Sequence, residues 1–121
     1  MLINNLYTIL QFEHQEKIEV SAQINVSHPI FKGHFPSMPI LPGVCMVQLV
    51  KELIEEVHPH QTLLTHAGNI KFLSVINPEI NDKVKVTIEI RNSDTNTITF
   101  TSSISQDQTI VFKFTGQLQN I

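Results

Sequence analysis

Tryptophan is absent from this 121-residue chain, arginine and cysteine occur once each, as Arg91 and Cys45, and glycine occurs only four times. Each scarcity removes a class of protein. A single cysteine allows neither an intrachain disulfide nor a cysteine-rich zinc site, which agrees with a reducing compartment. One arginine among eight basic residues, set against eleven acidic ones for a formal charge of −3, gives no basic stripe for gripping nucleic acid, and none is expected as a partner. No run approaches the ~18 consecutive apolar residues that a membrane span requires. The N-terminal residues MLINNLYTILQFEHQ lack a basic leader segment followed by a small-residue cleavage site. A cytoplasmic location and no membrane contact are the expectation. At 121 residues with 41% hydrophobic content, the chain suits one domain with one core, taken as residues 1–121.

Apolar and polar residues alternate between Tyr7 and Val26, most clearly over Lys17–Val26, the period-two pattern of half-buried strands, and two strands are predicted there. From His28 to Gly43 the chain changes character. This stretch holds four of the six prolines, and with φ fixed and donors removed at each it reads as a stiff, shaped loop without regular structure. Val44 to Val57 then places Met46, Leu49, Val50, Leu53 and Val57 at helical spacing, one helix of about four turns that stops before Pro59. Extended runs follow at Leu63–Val75, Lys83–Arg91, Thr97–Ser105 and Thr109–Leu118, separated by turn-forming residues. The pattern is α+β: about six antiparallel strands and one central helix. One helix cannot cover both faces and all edges of such a sheet, so pairing with another copy is expected.

Within the stiff loop, Gly33-His34-Phe35-Pro36-Ser37-Met38-Pro39-Ile40-Leu41-Pro42-Gly43-Val44 resembles the G-H-F-P-x-x-P-x-x-P-G-V signature of the 3-hydroxyacyl-acyl-carrier-protein dehydratases, which have the hot-dog fold. One histidine, three prolines and two glycines agree at fixed spacing. Ile70–Pro78 followed by Asp82 more loosely resembles the family's next strand and its P-G-D turn. The resemblance implies a hot-dog domain that dimerises and needs no cofactor or metal. It implies dehydration of 3-hydroxyacyl thioesters, carried on acyl-carrier protein or coenzyme A, to trans-2-enoyl thioesters in fatty-acid or related lipid biosynthesis. By the same resemblance His34 would remove the α-proton, the Gly43 N–H would polarise the thioester carbonyl, and Phe35, Pro36, Met38, Pro42, Val44 and Phe72 would contact the acyl chain. Lys32 and Lys71 would help to steer an acidic carrier protein.

The family's general acid lies fourteen residues after the loop histidine, on the helix of the partner subunit, and here that position is Gln48. An amide has no proton to exchange at neutral pH. Glu52, one turn further on, stands where these dehydratases often carry glutamine, so the two residue types look exchanged. Residues i and i+4 share a helix face. One reading of Glu52 therefore makes it the proton donor, with Gln48 holding the hydroxyl or a water. The other places Gln48, Lys51, Glu52 and Glu55 on a solvated helix face. Two alternatives to a competent dehydratase stay open: an acyl-thioester-binding homologue or heterodimer partner weakened at Gln48, and an acyl thioesterase on the same fold. Cys45 is expected as a small core residue, and His58, His60 and His66 as surface positions without a metal.

Overall fold

The computed structural model describes residues 5–33, 38–58, 61–94 and 96–121, and the structural statements below concern these residues. The elements run β1 (Tyr7–His14), β2 (Ile18–Ile24), α1 (Ile30–Gly33), α2 (Gly43–Val57), β3 (Thr62–Phe72), β4 (Lys83–Ser93), β5 (Thr97–Gln106) and β6 (Thr109–Asn120). The six strands form one sheet in the order β1-β2-β4-β5-β6-β3, with every neighbouring pair antiparallel. β3 therefore crosses to the far side of the sheet, and the helix in the connection before it packs against β3, β4 and β6. This is the α+β arrangement that the hydrophobic periodicity and the family resemblance imply.

Alternation decides which face of each strand meets the helix. In β2 the residues Ile18, Val20, Ala22 and Ile24 are buried and those between them are partly exposed. β4 buries Val84, Val86 and Ile88, and β5 buries Ile98, Phe100, Ser102 and Ile104. Ser102 is tolerated inside because its hydroxyl donates to the Phe114 carbonyl at 2.8 Å. α2 contributes Cys45, Met46, Leu49, Val50, Leu53 and Ile54, and Leu49, Val50, Leu53 and Ile54 are 1% exposed or less. Phe100 and Phe114 meet edge-on with centroids 5.0 Å apart, and Phe112 lies 6.0 Å from Phe114. Gly116 makes this junction possible. A Cβ there would lie 2.8 Å from the His66 carbonyl oxygen, within a backbone that cannot move aside cheaply.

The loop reading of residues 28–43 needs one correction. Ile30–Gly33 forms a helical turn, α1, entered from Pro29, whose fixed φ already suits a helix start; Phe31 N–H bonds to the His28 carbonyl at 3.1 Å and Lys32 N–H to that of Pro29 at 3.0 Å. The prolines shape this segment without keeping it wholly irregular. Met38 to Pro42 remain non-helical, as expected.

The two ends of the sheet differ. β1 carries half-exposed Ile9, Leu10 and Phe12 and a register shift between Ile9 and Gln11. β3 is exposed along most of its length, including Leu63 and Ile70, and its register with β6 shifts twice, between Leu64 and His66 and between Ala67 and Asn69. No helix among the described residues is long and apolar enough to cross a membrane.

The β5–β6 hairpin turns through Asp107 and Gln108, whose φ values of 49° and 69° are both left-handed. Two-residue hairpin loops of this kind favour glycine at the second position, because a side chain there is strained. Asp107 is held by the Asn81 amide at 3.0 Å, whereas Gln108 is exposed. Gln108→Gly is expected to stabilise the chain by about 0.5–1 kcal/mol, read as a higher urea midpoint at unchanged slope. A lower midpoint would contradict the assigned turn.

Candidate active site

α2 begins in an unusual way. Its N-cap is Pro42, at φ −61° and ψ 141°, which has no side-chain oxygen to accept from the first-turn amides, and the first turn holds no acidic residue. Cys45 N–H bonds back to the Pro42 carbonyl at 3.0 Å, which leaves the amides of Gly43 and Val44 at the open end of the helix. Aligned peptide dipoles add partial positive charge there. The approach is rigid, since Ile40 and Leu41 are buried and Leu41 N–H donates to the Ile76 carbonyl at 2.9 Å.

Gly43 also meets the end of β3. A Cβ on Gly43 would sit 2.6 Å from the Phe72 ring, so the bare Cα lets that ring lie over the helix start, where it also packs 5.2 Å from Phe112. Phe72 remains 53% exposed; Val44 is 70% and Met38 53% exposed, while Pro42 is partly buried. The single chain thus presents an open apolar patch around the helix start. The family resemblance implies that these residues contact an acyl chain, and in one copy Met38, Val44 and Phe72 are open to solvent. Of the other residues expected at this site, His34, Phe35 and Pro36 lie outside the described residues.

Gln48 is partly buried one turn into α2, and Glu52, a turn beyond it, is 2% exposed. The solvated-face reading of Glu52 is therefore corrected. Periodicity places it on the polar side of the helix, but its side chain is buried and lies close enough to the start of β1 for its charge to act on Tyr7. Tyr7 is 4% exposed and donates its hydroxyl to the Cys45 carbonyl at 3.3 Å. Its phenol is pushed well above the usual tyrosine range, chiefly by burial and further by Cys45 and Glu52, so it stays a protonated donor. Burial likewise pushes the Cys45 thiol up, and the residue is a small core hydrophobe, as expected. Glu55 has a structural role: one carboxylate oxygen accepts from Thr62 N–H at 2.6 Å, from the Thr62 hydroxyl at 2.9 Å and from Lys51 at 3.3 Å, tying the helix to β3.

Sequence reasoning did not single out Tyr7. The signal available was that the chain's only tyrosine opens an apolar strand, where a buried phenol needs an acceptor. Lys32 is exposed on α1 and Lys71 is exposed on β3, directly opposite Lys113 of β6.

Comparison with known proteins places this geometry. A 3-hydroxyacyl-[acyl-carrier-protein] dehydratase FabZ from Rickettsia felis is 23% identical over 120 residues, covering 93% of this chain and 83% of that protein. In the solved dehydratase heterocomplex ApeI:P from Xenorhabdus doucetiae, one chain superposes with a TM-score of 0.74 at 19% identity, covering 93% of this chain and 97% of that one. A mutant of a thioesterase enzyme from Staphylococcus aureus has the same fold, with a TM-score of 0.67 at 13% identity, covering 98% of this chain and 95% of that one. The fold is thus the hot-dog fold, shared by dehydratases and thioesterases. The model of the ApeI-like family, described as ApeI dehydratase, matches residues 10–114, nearly the whole chain, and the protein belongs to that family.

Proposed function

We propose that the chain forms a hot-dog homodimer that dehydrates 3-hydroxyacyl thioesters presented by acyl-carrier protein or coenzyme A. The observation that carries this reading is the uncapped start of α2: first-turn amides at Gly43 and Val44 with no side-chain cap, together with exposed apolar Met38, Val44 and Phe72, on a helix that also bears Gln48 and a buried Glu52. A thioester carbonyl seated at the Gly43 amide gains hydrogen bonding as its oxygen takes up enolate charge. His34 takes the α-proton. The C3–O bond then breaks, its electrons go to the oxygen, and the C2–C3 double bond forms. Glu52 donates the proton with which the hydroxyl leaves as water, and Gln48 orients that hydroxyl. Phe35, Pro36, Pro42, Met38, Val44 and Phe72 receive the acyl chain. The exposed length of β3 is the surface a second copy would cover, turning the open patch into an enclosed slot.

Gln48 supports a second reading. It stands at the family's acid position, and a chain lacking that acid would bind acyl thioesters while turning them over weakly, alone or paired with a related chain. Substitution separates the two. In the first, Glu52→Gln lowers hydration of a crotonyl thioester by about 10²-fold or more with the circular dichroism unchanged, since a positioned acid contributes roughly 10²–10⁴ in rate. Unchanged turnover removes Glu52 from the mechanism. In the second, Gln48→Glu raises turnover by about the same factor. Release of free thiol from acyl thioesters without a 2-enoyl product would instead mark a thioesterase. The active species is expected to sediment at twice the 13.7 kDa chain mass, and a monomer with full activity would contradict the shared slot.

A further inference from the structure

We propose that Tyr7 is a positioning residue for the acyl-thioester site: its hydroxyl, bonded to the Cys45 carbonyl, holds the first turn of α2 so that the Gly43 amide meets the thioester oxygen. The inference rests on the dehydratase reading of that amide. It starts from an unmet structural need. A helix end is ordinarily steadied by a side-chain cap or by acidic residues in its first turn, and α2 has neither. Substrate needs those amides open, yet an unsteadied first turn frays, and misplacing a donor by about 1 Å costs on the order of 10²-fold in rate.

The structure supplies the hold from behind. Cys45 is fixed at both ends of its backbone, its N–H on the Pro42 carbonyl at 3.0 Å and its carbonyl receiving the Tyr7 hydroxyl at 3.3 Å. Tyr7 is itself anchored. It pairs with Ile24 across the β1–β2 ladder, Asn25 N–H donates to the Leu6 carbonyl at 2.7 Å, and the Asn25 side-chain amide donates to the Asn5 carbonyl at 2.9 Å. A contact between residues 38 apart in sequence thus joins the edge of the sheet to the turn that would do the chemistry. The phenol is buried and its hydroxyl reaches the backbone carbonyl of Cys45, two residues beyond Gly43, so Tyr7 acts on this turn through the backbone. Phe72 steadies the same turn from the front, through the ring that lies over Gly43.

The test is the carbonyl stretch of a bound butyryl thioester labelled with ¹³C at the carbonyl, which cannot be dehydrated and whose frequency falls as the amide hydrogen bond shortens. Tyr7→Phe keeps the ring and deletes the hydroxyl. It is expected to return the stretch toward its value in free solution and to lower kcat for crotonyl-thioester hydration by roughly 10- to 100-fold, with KM changed by less than about threefold. Because Tyr7 is the only tyrosine, growth on 3-fluorotyrosine alters this position alone and retains the hydroxyl. That protein should keep the lowered frequency, and its fluorine resonance should move when the butyryl thioester binds. A stretch identical in wild type and Tyr7→Phe, or a fluorine resonance unmoved by thioester, overturns the inference even if the enzyme is active. If wild type binds the thioester without lowering its stretch and hydrates nothing, the dehydratase reading fails first.

Discussion

The organisation of this domain depends on one interaction, the seating of the first turn of α2 against the inner face of the sheet. Proline at the N-cap, no acidic residue and no capping oxygen leave its first amides without a side-chain cap. Such a turn is weak by itself, because four donors at a helix start normally need partners. Burial compensates. Cys45 and Met46 are sunk in the core immediately behind the open amides, and Leu49, Val50, Leu53 and Ile54 continue the same stripe. The hydrophobic core therefore anchors a helix end that no side chain caps, and uncapped amides of this kind are suited to electrostatic stabilisation of a developing oxyanion.

The same compromise recurs on the strand that adjoins the turn. β3 ends at Phe72, which contributes one ring to the sheet through Phe112 and lies over Gly43 on its other side. Glycine at 43 serves distance here, since its φ is not in the left-handed region. Glu55 holds the opposite ends of helix and strand together through Thr62. Helix and strand are thus pinned at both ends, and the residues between them, Gln48 and Glu52 included, inherit a defined position.

Much of this was legible in the residues. Strict alternation in β2 and the 3.6-residue spacing of Met46, Leu49, Val50 and Leu53 each signal one face, and the strands and helix formed where those patterns lie. Turn chemistry was equally direct: Asp94 accepts from the amides of Asn96 and Thr97 and from the Thr97 hydroxyl, which together hold its carboxyl below the usual range. What escaped was anything decided by a neighbour distant in sequence. Glu52 has a polar residue's identity and a place on the polar side of the helix wheel, and its burial depends on chain packed around the helix, with Tyr7 of β1 near enough to feel its charge. Tyr7 looked like any strand residue until its acceptor on Cys45 was in place. The turn at Ile30–Gly33 was hidden by prolines that flank it without interrupting it. The loop motif pointed to Gly43 correctly as a helix start, but not to the outward-facing patch around it, because enclosure is a property of surfaces and not of spacing.

The two irregularities in the pairing of β3 with β6 have a consequence for association. A regular edge would accept almost any extended chain, since backbone amides and carbonyls carry no identity of their own. Each extra residue between Leu64 and His66, and again between Ala67 and Asn69, breaks that uniform rhythm and bends the strand. The border then works like a cut key: a stray strand finds its hydrogen bonds out of step after a few residues, and only a chain with matching kinks could lie along its full length.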